Sequence, residues 1–369
     1  MHVLVTTDTL SDVWTYTREL VTGLAQRGVR VTLVSFGEIP TPDQSTWLDS
    51  LRNVDYRATA FRLEWMQDCA DDLRMSALFL EQIIAETKPD VLHLSQYCYG
   101  SLPSRIPKLV VCHSDVISWW ESVHGEHPPE NDWIAEYRKI VTEGLAGADM
   151  VVAPSRWMLA ELREHYGPPR RGLVIYNGRN PALFNPHTSK EDLVLSVGRA
   201  WDKGKNVALL TQSSHTTPVW VVGEERHPDP AFRDVRQEPE RGRGVRFIGP
   251  QGERQLRQLL SRASMYAATS QYEPFGLAPV EAALSRCAVI ANDIPIFREL
   301  WGETACYFRH NDADDLARTI RKLREDVELR QTYANLAYRR AQQRFTAERM
   351  LNDYLALYRN MIPTGVAVA

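Results

Sequence analysis

Short apolar runs alternate along the chain with segments whose apolar positions recur at helical spacing. Runs bounded by turns are typical of buried strands, and a 3.6-residue period is typical of helices packed on one face. The runs predict strands at His2–Thr7, Val29–Phe36, Pro89–Leu94, Leu109–Cys112, Ala148–Ala153, Leu173–Tyr176, Leu193–Val197, Val219–Val222, Val245–Ile248, Met265–Ala268, Ala288–Ala291 and Thr304–Phe308. The periodic segments predict helices at 12–27, 72–87, 132–147, 155–166, 204–213, 252–262, 277–284, 313–326, 327–344 and 346–361. This alternation indicates an α/β fold whose parallel sheets are covered on both faces.

A polar, turn-rich stretch at residues 177–192 interrupts the alternation, which then restarts. We interpret it as a linker, because 369 residues are too many for one ordinary core. The predicted domains are two Rossmann-like units at 1–180 and 190–345 that face a cleft, followed by a helix at 346–362. Open α/β sheets bind ligands beyond the carboxyl ends of their strands.

Three stretches carry weaker patterns. Residues 40–70 mix their signals, and no element is assigned there. The charged, proline-containing segment 224–243 is predicted to be a loop or poorly ordered, and the last five residues are predicted to be frayed.

Composition narrows the function classes. A hydrophobic content of 44% and a charged content of 24% are ordinary for a globular protein. The net charge of −4 argues against a general nucleic-acid binder, which usually has a basic surface. Five scattered cysteines indicate a reducing compartment, and neither a signal peptide nor a transmembrane run is recognised. We therefore expect a cytoplasmic protein, with peripheral contact at the inner membrane face still compatible with the sequence.

The stretch 269–299 has the pattern strand, loop, helix, strand, with Glu273 in the loop and Glu281 in the helix. A helix N-terminus offers unpaired N–H groups and partial positive charge, and Gly276 lets a ligand approach the backbone. Helical geometry would separate the two glutamates by roughly 12 Å, which is too far for the paired acids of a glycosidase. The stretch is therefore either an anion site or a βαβ unit whose loop glutamate is merely solvated.

A basic loop follows the strand Leu193–Val197 and is a second candidate site. Arg199 and Lys205 stand there with glycines, just before a helical pattern. Such a loop either binds phosphate or is a solvated basic turn. It matches neither the P-loop nor the GxGxxG fingerprint.

Three further positions carry candidate chemistry. His113 follows a strand and either contacts substrate hydroxyls or has a structural role, the latter being favoured for His93. Ser11 or Asp12 is expected to cap the first helix, with a catalytic aspartate in that loop as the alternative. Asp312-Ala313-Asp314 has the DxD form of some metal-dependent sugar transferases, but helix capping explains it, so no metal site is predicted.

Glu273-Pro274-Phe275-Gly276-Leu277 through Glu281 resembles the E-x7-E motif of retaining glycosyltransferases of family 4, which have the GT-B fold. Further segments are similar to this family, and they are Val13–Leu20, Gly198-Arg199 with Lys205-Asn206, Asn292–Pro295, Phe297–Glu299 and Phe345–Arg349 with Tyr354 and Tyr358. The resemblance covers nearly the whole chain and is strongest from 193 to 310. It implies an acceptor-side first domain, a nucleotide-sugar-binding second domain and a last helix that crosses back to the first.

The resemblance also implies roles for the candidate residues. Glu281 would bind the donor ribose and Glu273 would lie by the transferred sugar. Arg199 and Lys205 would stabilise the leaving diphosphate, and His113 would lie near the sugar and acceptor. Backbone N–H groups near the donor would come from Phe275, Gly276 and Leu277, and the N-terminal loop would contribute Ser11 and Asp12. The family usually has a glycine pair at these last two positions, so the acceptor is the part this chain leaves most open.

These implications define the expected function. We expect a retaining transferase that moves a hexose-type sugar from a nucleotide-diphosphate donor, with UDP favoured, to a hydroxyl of a small-molecule, glycan or lipid-linked acceptor. No cofactor and no metal are expected, and the oligomeric state is open. The alternatives are a sugar-nucleotide epimerase of the same fold and a non-catalytic nucleotide-sugar-binding protein.

Overall fold

The computed structural model describes residues 1–226 and 243–363. Most of the predicted loop 224–243 and the predicted frayed end lie outside these residues. The chain divides into two compact units. The first comprises Met1–Glu121, Glu126–Gly178 and the chain from Ala347 onward, and the second comprises Ser122–Gly125 and Arg179–Thr346.

The first unit contains a seven-stranded sheet with the order β3-β2-β1-β4-β5-β6-β7, and all its strand pairs are parallel. Its strands are β1 (His2–Asp8), β2 (Arg30–Phe36), β3 (Val54–Ala58), β4 (Val91–Leu94), β5 (Lys108–Val111), β6 (Met150–Ala153) and β7 (Gly172–Val174). The interior strand β1 is buried along its whole length because helices cover both faces of the sheet.

The helices of the first unit form one layer on each face. They are α1 (Val13–Gln26), α2 (Pro42–Ser45), α3 (Ala70–Thr87), α4 (Val116–His124), α5 (Asp132–Gly147), α6 (Arg156–Tyr166) and α12 (Ala347–Met361). Alternate residues of β1 point to opposite faces. Val3 and Val5 therefore pack in a core with α1 and α12, whereas Leu4 packs in a core with α3, α5 and α6.

Helix α12 is part of the first unit although the second unit separates it in sequence. Its residues Leu351, Tyr354 and Tyr358 are buried against α1 and the sheet. The two helices approach closely at Gly23, where an added Cβ would lie 2.6 Å from a methyl carbon of Leu351. A side chain at this position would require the Leu351 side chain to move.

The second unit contains a six-stranded parallel sheet with the order β10-β9-β8-β11-β12-β13. Its strands are β8 (Glu191–Val197), β9 (Val219–Val222), β10 (Val245–Phe247), β11 (Ala263–Ala268), β12 (Ala288–Asn292) and β13 (Cys306–Phe308). Its helices are α7 (Glu253–Arg262), α8 (Leu277–Leu284), α9 (Pro295–Trp301), α10 (Ala313–Glu325) and α11 (Val327–Arg344). The core under the sheet joins β8, β9, β11 and β12 to α10.

The predicted α/β class is confirmed, since both units are Rossmann-like domains built on parallel sheets. The helix predicted at 204–213 is wrong in type, because only a 3₁₀ turn forms at Val207–Thr211. Asn206 precedes this turn in the left-handed region, with φ of 49°, and an α-helix cannot run through it. The elements β3, α2, α4 and α9 were not predicted. Within the described residues, the helices are too short or too polar to cross a membrane.

Candidate active site

The predicted site residues of the second unit lie on two neighbouring loops. Strands β8 and β11 are adjacent and parallel, so the loops at their carboxyl ends emerge side by side. Backbone N–H of Gln271 donates to the carbonyl of Gly204 (2.9 Å), and Thr269 Oγ1 donates to the carbonyl of Lys205 (2.9 Å). The two loops are therefore joined, although about 65 residues separate them in sequence.

Lys205 and Glu273 form an ion pair between these loops. Lys205 Nζ donates to both carboxylate oxygens of Glu273, at 3.0 and 2.8 Å, and Ser270 Oγ donates to Oε2 at 3.1 Å. The Glu273 side chain is only 9% exposed. Because charge-assisted hydrogen bonds with two acceptors fix direction as well as distance, this carboxylate holds the ammonium in one place.

Gly276 begins helix α8, and no side chain caps the start of this helix. Its φ of 84° lies in the left-handed region, and an added Cβ would lie 3.0 Å from Glu273 Cγ. Both the backbone conformation and the space beside Glu273 therefore require glycine here. The ring of Phe275 is buried edge-on against Phe345 (5.4 Å between centroids), and Leu277 is buried as well. These two residues thus contribute their backbone, rather than their side chains, to the surface of the site.

Glu281 lies within α8 and is buried beside an arginine that the sequence analysis did not single out. Arg179 Nε lies 2.8 Å from Glu281 Oε1, and Arg179 Nη2 donates to Glu253 Oε1 at 3.0 Å. The arginine side chain is 1% exposed. Glu281 is thus held by a cation from outside both predicted loops.

Arg199 lies in the same loop as Lys205 but has different partners. Its Nη2 donates to Asp202 Oδ2 at 2.7 Å, and its guanidinium lies 4.7 Å from the ring centroid of Trp201. At 40% exposure it is the most accessible of the predicted cations. In this structure Arg199 pairs within its own loop, whereas Lys205 reaches Glu273.

An amide network supports both loops, and it was also missed. Asn292 is the last residue of β12 and is fully buried, and its Nδ2 donates to the Ser270 carbonyl (3.2 Å) and to Asn311 Oδ1 (2.9 Å). Asn206 Nδ2 donates to the same oxygen of Asn311 (3.1 Å), and Asn311 Nδ2 donates to Gln271 Oε1 (2.9 Å). The network links the loops after β8, β11 and β13. It therefore fixes the two loops that carry Lys205 and Glu273.

In the first unit, the loop after β1 is organised by Asp8. Its carboxylate accepts hydrogen bonds from the N–H groups of Leu10 (3.0 Å) and Ser11 (2.9 Å) and from Ser11 Oγ (2.9 Å), while burial raises the pKa of Asp8. Ser11 Oγ accepts from the N–H of Val13 (3.2 Å), and the side chain of Asp12 makes no capping hydrogen bond. Of the two residues predicted as alternatives for the cap, Asp12 occupies the N-cap position without a side-chain capping bond, and Ser11, one residue earlier, accepts from the first N–H group of the helix.

His113 lies just beyond the carboxyl end of β5. Its Nε2 is 3.3 Å from Ser95 Oγ, and its ring packs edge-on against Tyr16 at 4.6 Å. Burial lowers the pKa of His113 to about 3, so the imidazole is neutral near pH 7 and acts as a hydrogen-bonding group rather than a cation.

His93 has the structural role that was favoured for it. Its two ring nitrogens lie 3.1 Å from the hydroxyl of Tyr16 and 2.7 Å from the hydroxyl of Tyr358. It is completely buried, and this burial lowers its pKa to about 3. His93 thereby joins β4 to α1 and α12.

The Asp312–Asp314 segment caps a helix, as predicted. Asp312 accepts from the N–H of Asp315 at 2.8 Å at the start of α10, and Ser213 Oγ donates to Asp314. Among residues 1–226 and 243–363 no cluster of three or more His, Cys, Asp or Glu side chains has an arrangement that could hold a metal ion.

Comparison with known proteins matches two family models to this chain. Residues 13–183 match Glycosyltransferase Family 4, and residues 183–340 match Glycosyl transferases group 1. Sucrose-phosphate synthase from Thermosynechococcus elongatus superposes with a TM-score of 0.78 at 21% identity, over 98% of this chain and 99% of that one. Two glycosyltransferase family models therefore match consecutive segments that together span residues 13–340, and the fold is GT-B.

Two further proteins resemble this chain, one in fold over nearly its whole length and one in sequence over about half of it. The Anabaena protein HepE, solved with UDP and glucose, has a TM-score of 0.75 at 17% identity, over 97% of this chain and 99% of its own. At this identity the likeness is one of fold. The lipopolysaccharide core biosynthesis mannosyltransferase LpcC of Rhizobium leguminosarum bv. viciae is 28% identical over 51% of this chain and 60% of its own length. The match spans 60% of the length of LpcC, and a match to glycogen synthase of Mycobacterium tuberculosis spans 50% of the length of that protein.

Within the second unit, the structure brings some predicted residues together directly. Lys205, Glu273 and Gly276 meet at the start of α8, while Glu281 is held from the side by Arg179. Arg179 was missed because it lies in the polar stretch interpreted as a linker. An arginine in a turn-rich segment gives no indication of a carboxylate about 100 residues further along the chain.

Proposed function

We propose that this protein is a retaining glycosyltransferase that moves a hexose-type sugar from a nucleotide-diphosphate donor to a hydroxyl acceptor without a metal ion. The observation that carries the proposal is the Lys205–Glu273 pair beside the uncapped start of α8. It lies in the segment that matches Glycosyl transferases group 1. A fixed cation, a glycine and a helix N-terminus together suit a departing diphosphate.

Lys205 would stabilise the negative charge that develops on the diphosphate as the bond to the sugar breaks. Its ammonium is already positioned by Glu273, so little reorganisation is needed at the moment of reaction. The N–H groups of Gly276 and Leu277 would add partial positive charge from the helix end. Arg199, which is 40% exposed, would exchange Asp202 for a phosphate oxygen. These protein cations would take the place of a metal.

The two glutamates would serve different parts of the donor. Glu273, in the loop beside Lys205, would accept hydrogen bonds from the transferred sugar. Glu281, farther along α8, would accept them from the ribose. The backbone of Phe275 would line the site between them, since its ring is turned into the core.

On the acceptor side, His113 would hydrogen-bond the sugar or the incoming hydroxyl as a neutral imidazole, because burial keeps its pKa at about 3. The acceptor hydroxyl would attack the face that the diphosphate leaves and give its proton to the departing phosphate, which retains the anomeric configuration. Ser11 and Asp12 stand where the family usually has two glycines. The turn held by Asp8 therefore presents side chains rather than bare backbone, and a different acceptor contact is expected.

The nucleotide and sugar are tested by thermal-shift measurements with UDP-, GDP-, ADP- and TDP-sugars. We favour UDP, with support from the fold likeness to HepE, whose structures contain UDP. A ligand at 100 times its dissociation constant should stabilise the protein by about 2.7 kcal/mol. Stabilisation by a GDP-sugar alone would show that the nucleotide of the donor is GDP and not UDP. If none of the nucleotide sugars stabilised the protein, the proposal would be contradicted.

Turnover separates the proposed transferase from the alternatives. A transferase releases nucleoside diphosphate and forms a glycoside with the acceptor. An epimerase changes the sugar without an acceptor, and a binding protein is stabilised by ligand without any product. Analysis of the product's anomeric configuration tests retention directly, and an inverted product would refute that part.

A further inference from the structure

Arg179 is the first residue of the second unit and one of its most completely buried side chains. Its backbone N–H donates to the carbonyl of Phe345 at 3.0 Å, and its guanidinium lies 5.6 Å from the ring centroid of Phe184. Backbone and side chain are thus both fixed. A side chain that is fixed in this way can determine the positions of the carboxylates with which it pairs.

The partners of Arg179 are two carboxylates on different helices. Nε lies 2.8 Å from Oε1 of Glu281 on α8, and Nη2 donates to Oε1 of Glu253, the first residue of α7, at 3.0 Å. Guanidinium is planar and always charged, and its donors point in fixed directions. One arginine therefore pairs with carboxylates on both helices, through a close ion contact with Glu281 and a hydrogen bond to Glu253.

Burial makes this arrangement necessary. The Glu281 side chain is 9% exposed, and a buried carboxylate is strongly unfavourable unless a cation and hydrogen bonds compensate it. Glu253 is 33% exposed and can be solvated in part, so it does not need the arginine in the same way. The buried partner is the one that the proposed function assigns to the donor ribose.

We propose that Arg179 is a positioning residue for nucleotide binding: it holds the Glu281 carboxylate in place to accept hydrogen bonds from the ribose hydroxyls. This inference rests on the proposed function. Glu253 accepts a hydrogen bond from the other side of the guanidinium. It therefore acts indirectly, by holding Arg179, which in turn holds Glu281.

The inference is tested by measuring how much more tightly the protein binds a ribonucleotide than the matching 2′-deoxyribonucleotide. Calorimetric titration gives the affinities of UDP and 2′-deoxy-UDP, with GDP and 2′-deoxy-GDP as a parallel pair. A hydrogen bond to a charged group corresponds to about tenfold or more in affinity, so we expect at least this preference in the unaltered protein. In Arg179→Met we expect it to fall to about threefold or less, because Glu281 is no longer held in place.

Two further variants and a control keep the test sharp. Arg179→Lys retains the charge without the two-sided geometry and should give an intermediate preference. Glu253→Gln should reduce the preference slightly. Arg262, the last residue of α7, is exposed and pairs with Glu191. Arg262→Ala should therefore leave the preference for the ribonucleotide unchanged. A general loss of structure would weaken the ribo- and deoxyribonucleotides equally, whereas a positioning role changes their ratio.

The outcomes are distinct. A folded Arg179→Met protein with the unaltered preference overturns the assignment. If that variant does not fold, Arg179→Lys and Glu253→Gln decide, and an unaltered preference in both overturns it. An unaltered protein that binds none of the nucleotides overturns the proposed function and this inference together. One that binds them without preferring ribose overturns the role of Glu281, and with it that of Arg179.

Discussion

Replacing Lys205 by alanine tests the proposed chemistry most directly. The substitution removes the ammonium that donates to both oxygens of Glu273 and leaves the rest of the loop intact. We predict that turnover falls by two to three orders of magnitude. The reason is that the departing diphosphate loses its positioned cation.

The magnitude follows from the contacts. Removing one preorganised donor to a developing charge costs roughly 2.7–4 kcal/mol in the transition state, or about 10²–10³ in rate. Stability should change less. Breaking a buried ion pair costs about 3–5 kcal/mol, but the Lys205 side chain is 21% exposed and Ser270 still donates to Glu273. We therefore expect about 1–2 kcal/mol, or a decrease of about 2–8 °C in Tm.

The assay measures nucleoside diphosphate released from the nucleotide sugar chosen by the ligand screen, with thermal unfolding in parallel. Lys203→Ala is the matched control, since it removes the same charge from an exposed position two residues away and should leave turnover unchanged. The double variant Lys205→Ala with Glu273→Gln should recover stability, because no unpaired carboxylate remains, yet stay inactive. A Lys205→Ala protein with turnover within about threefold of the unaltered protein would refute the phosphate role.

Three further predictions concern metal, backbone and pH. Added EDTA should leave turnover unchanged, and a loss that magnesium or manganese restores would contradict the metal-free mechanism. Gly276→Ala and Gly28→Ala both place a side chain at positive φ and should each cost about 1–2 kcal/mol in urea unfolding. Only Gly276→Ala should also reduce turnover, by tenfold or more, since its Cβ meets Glu273 while that of Gly28 meets nothing within 4 Å; equal turnover in the two variants would exclude this contact. Because the pKa of buried His93 is lowered to about 3, its contribution to stability is complete above about pH 6.5 and should be lost on acidification, on the order of 3 kcal/mol between pH 7 and 4. Urea titrations should show a weaker pH dependence for His93→Gln, and an identical dependence would disprove the assignment.

The fold was largely predictable because buried parallel strands are short apolar runs. For this reason the strands β1, β9 and β12 could be recognised from the sequence. The edge strand β3 was missed because it is only partly buried and its residues Val54–Ala58 include Asp55 and Arg57. The short helix α9 begins at Pro295, and at seven residues it is too short to establish a period.

The candidate site was predictable only where neighbouring residues in sequence form it. The loop from Glu273 to Leu277 has its own pattern, and so does the loop from Arg199 to Lys205. Arg179 pairs with carboxylates that lie far away in sequence, and nothing in its local sequence predicts that contact. Asn206, in the left-handed conformation, likewise donates to the amide of Asn311, 105 residues further along the chain, and a local period cannot reveal that contact.

The discontinuous first unit has a consequence for how the protein is made. Helix α12 supplies Met350, Leu351 and Tyr354 to the core that β1 and α1 begin. At ordinary rates of synthesis, roughly 170 residues, or about 10–35 s, separate the end of β7 and its following turn from this helix. During that time the apolar face of α1 around Gly23 is uncovered on the growing chain. We expect the ribosome-bound first half to interact with chaperones until α12 emerges, and a fragment ending at residue 178 to aggregate unless α12 is supplied as a separate peptide.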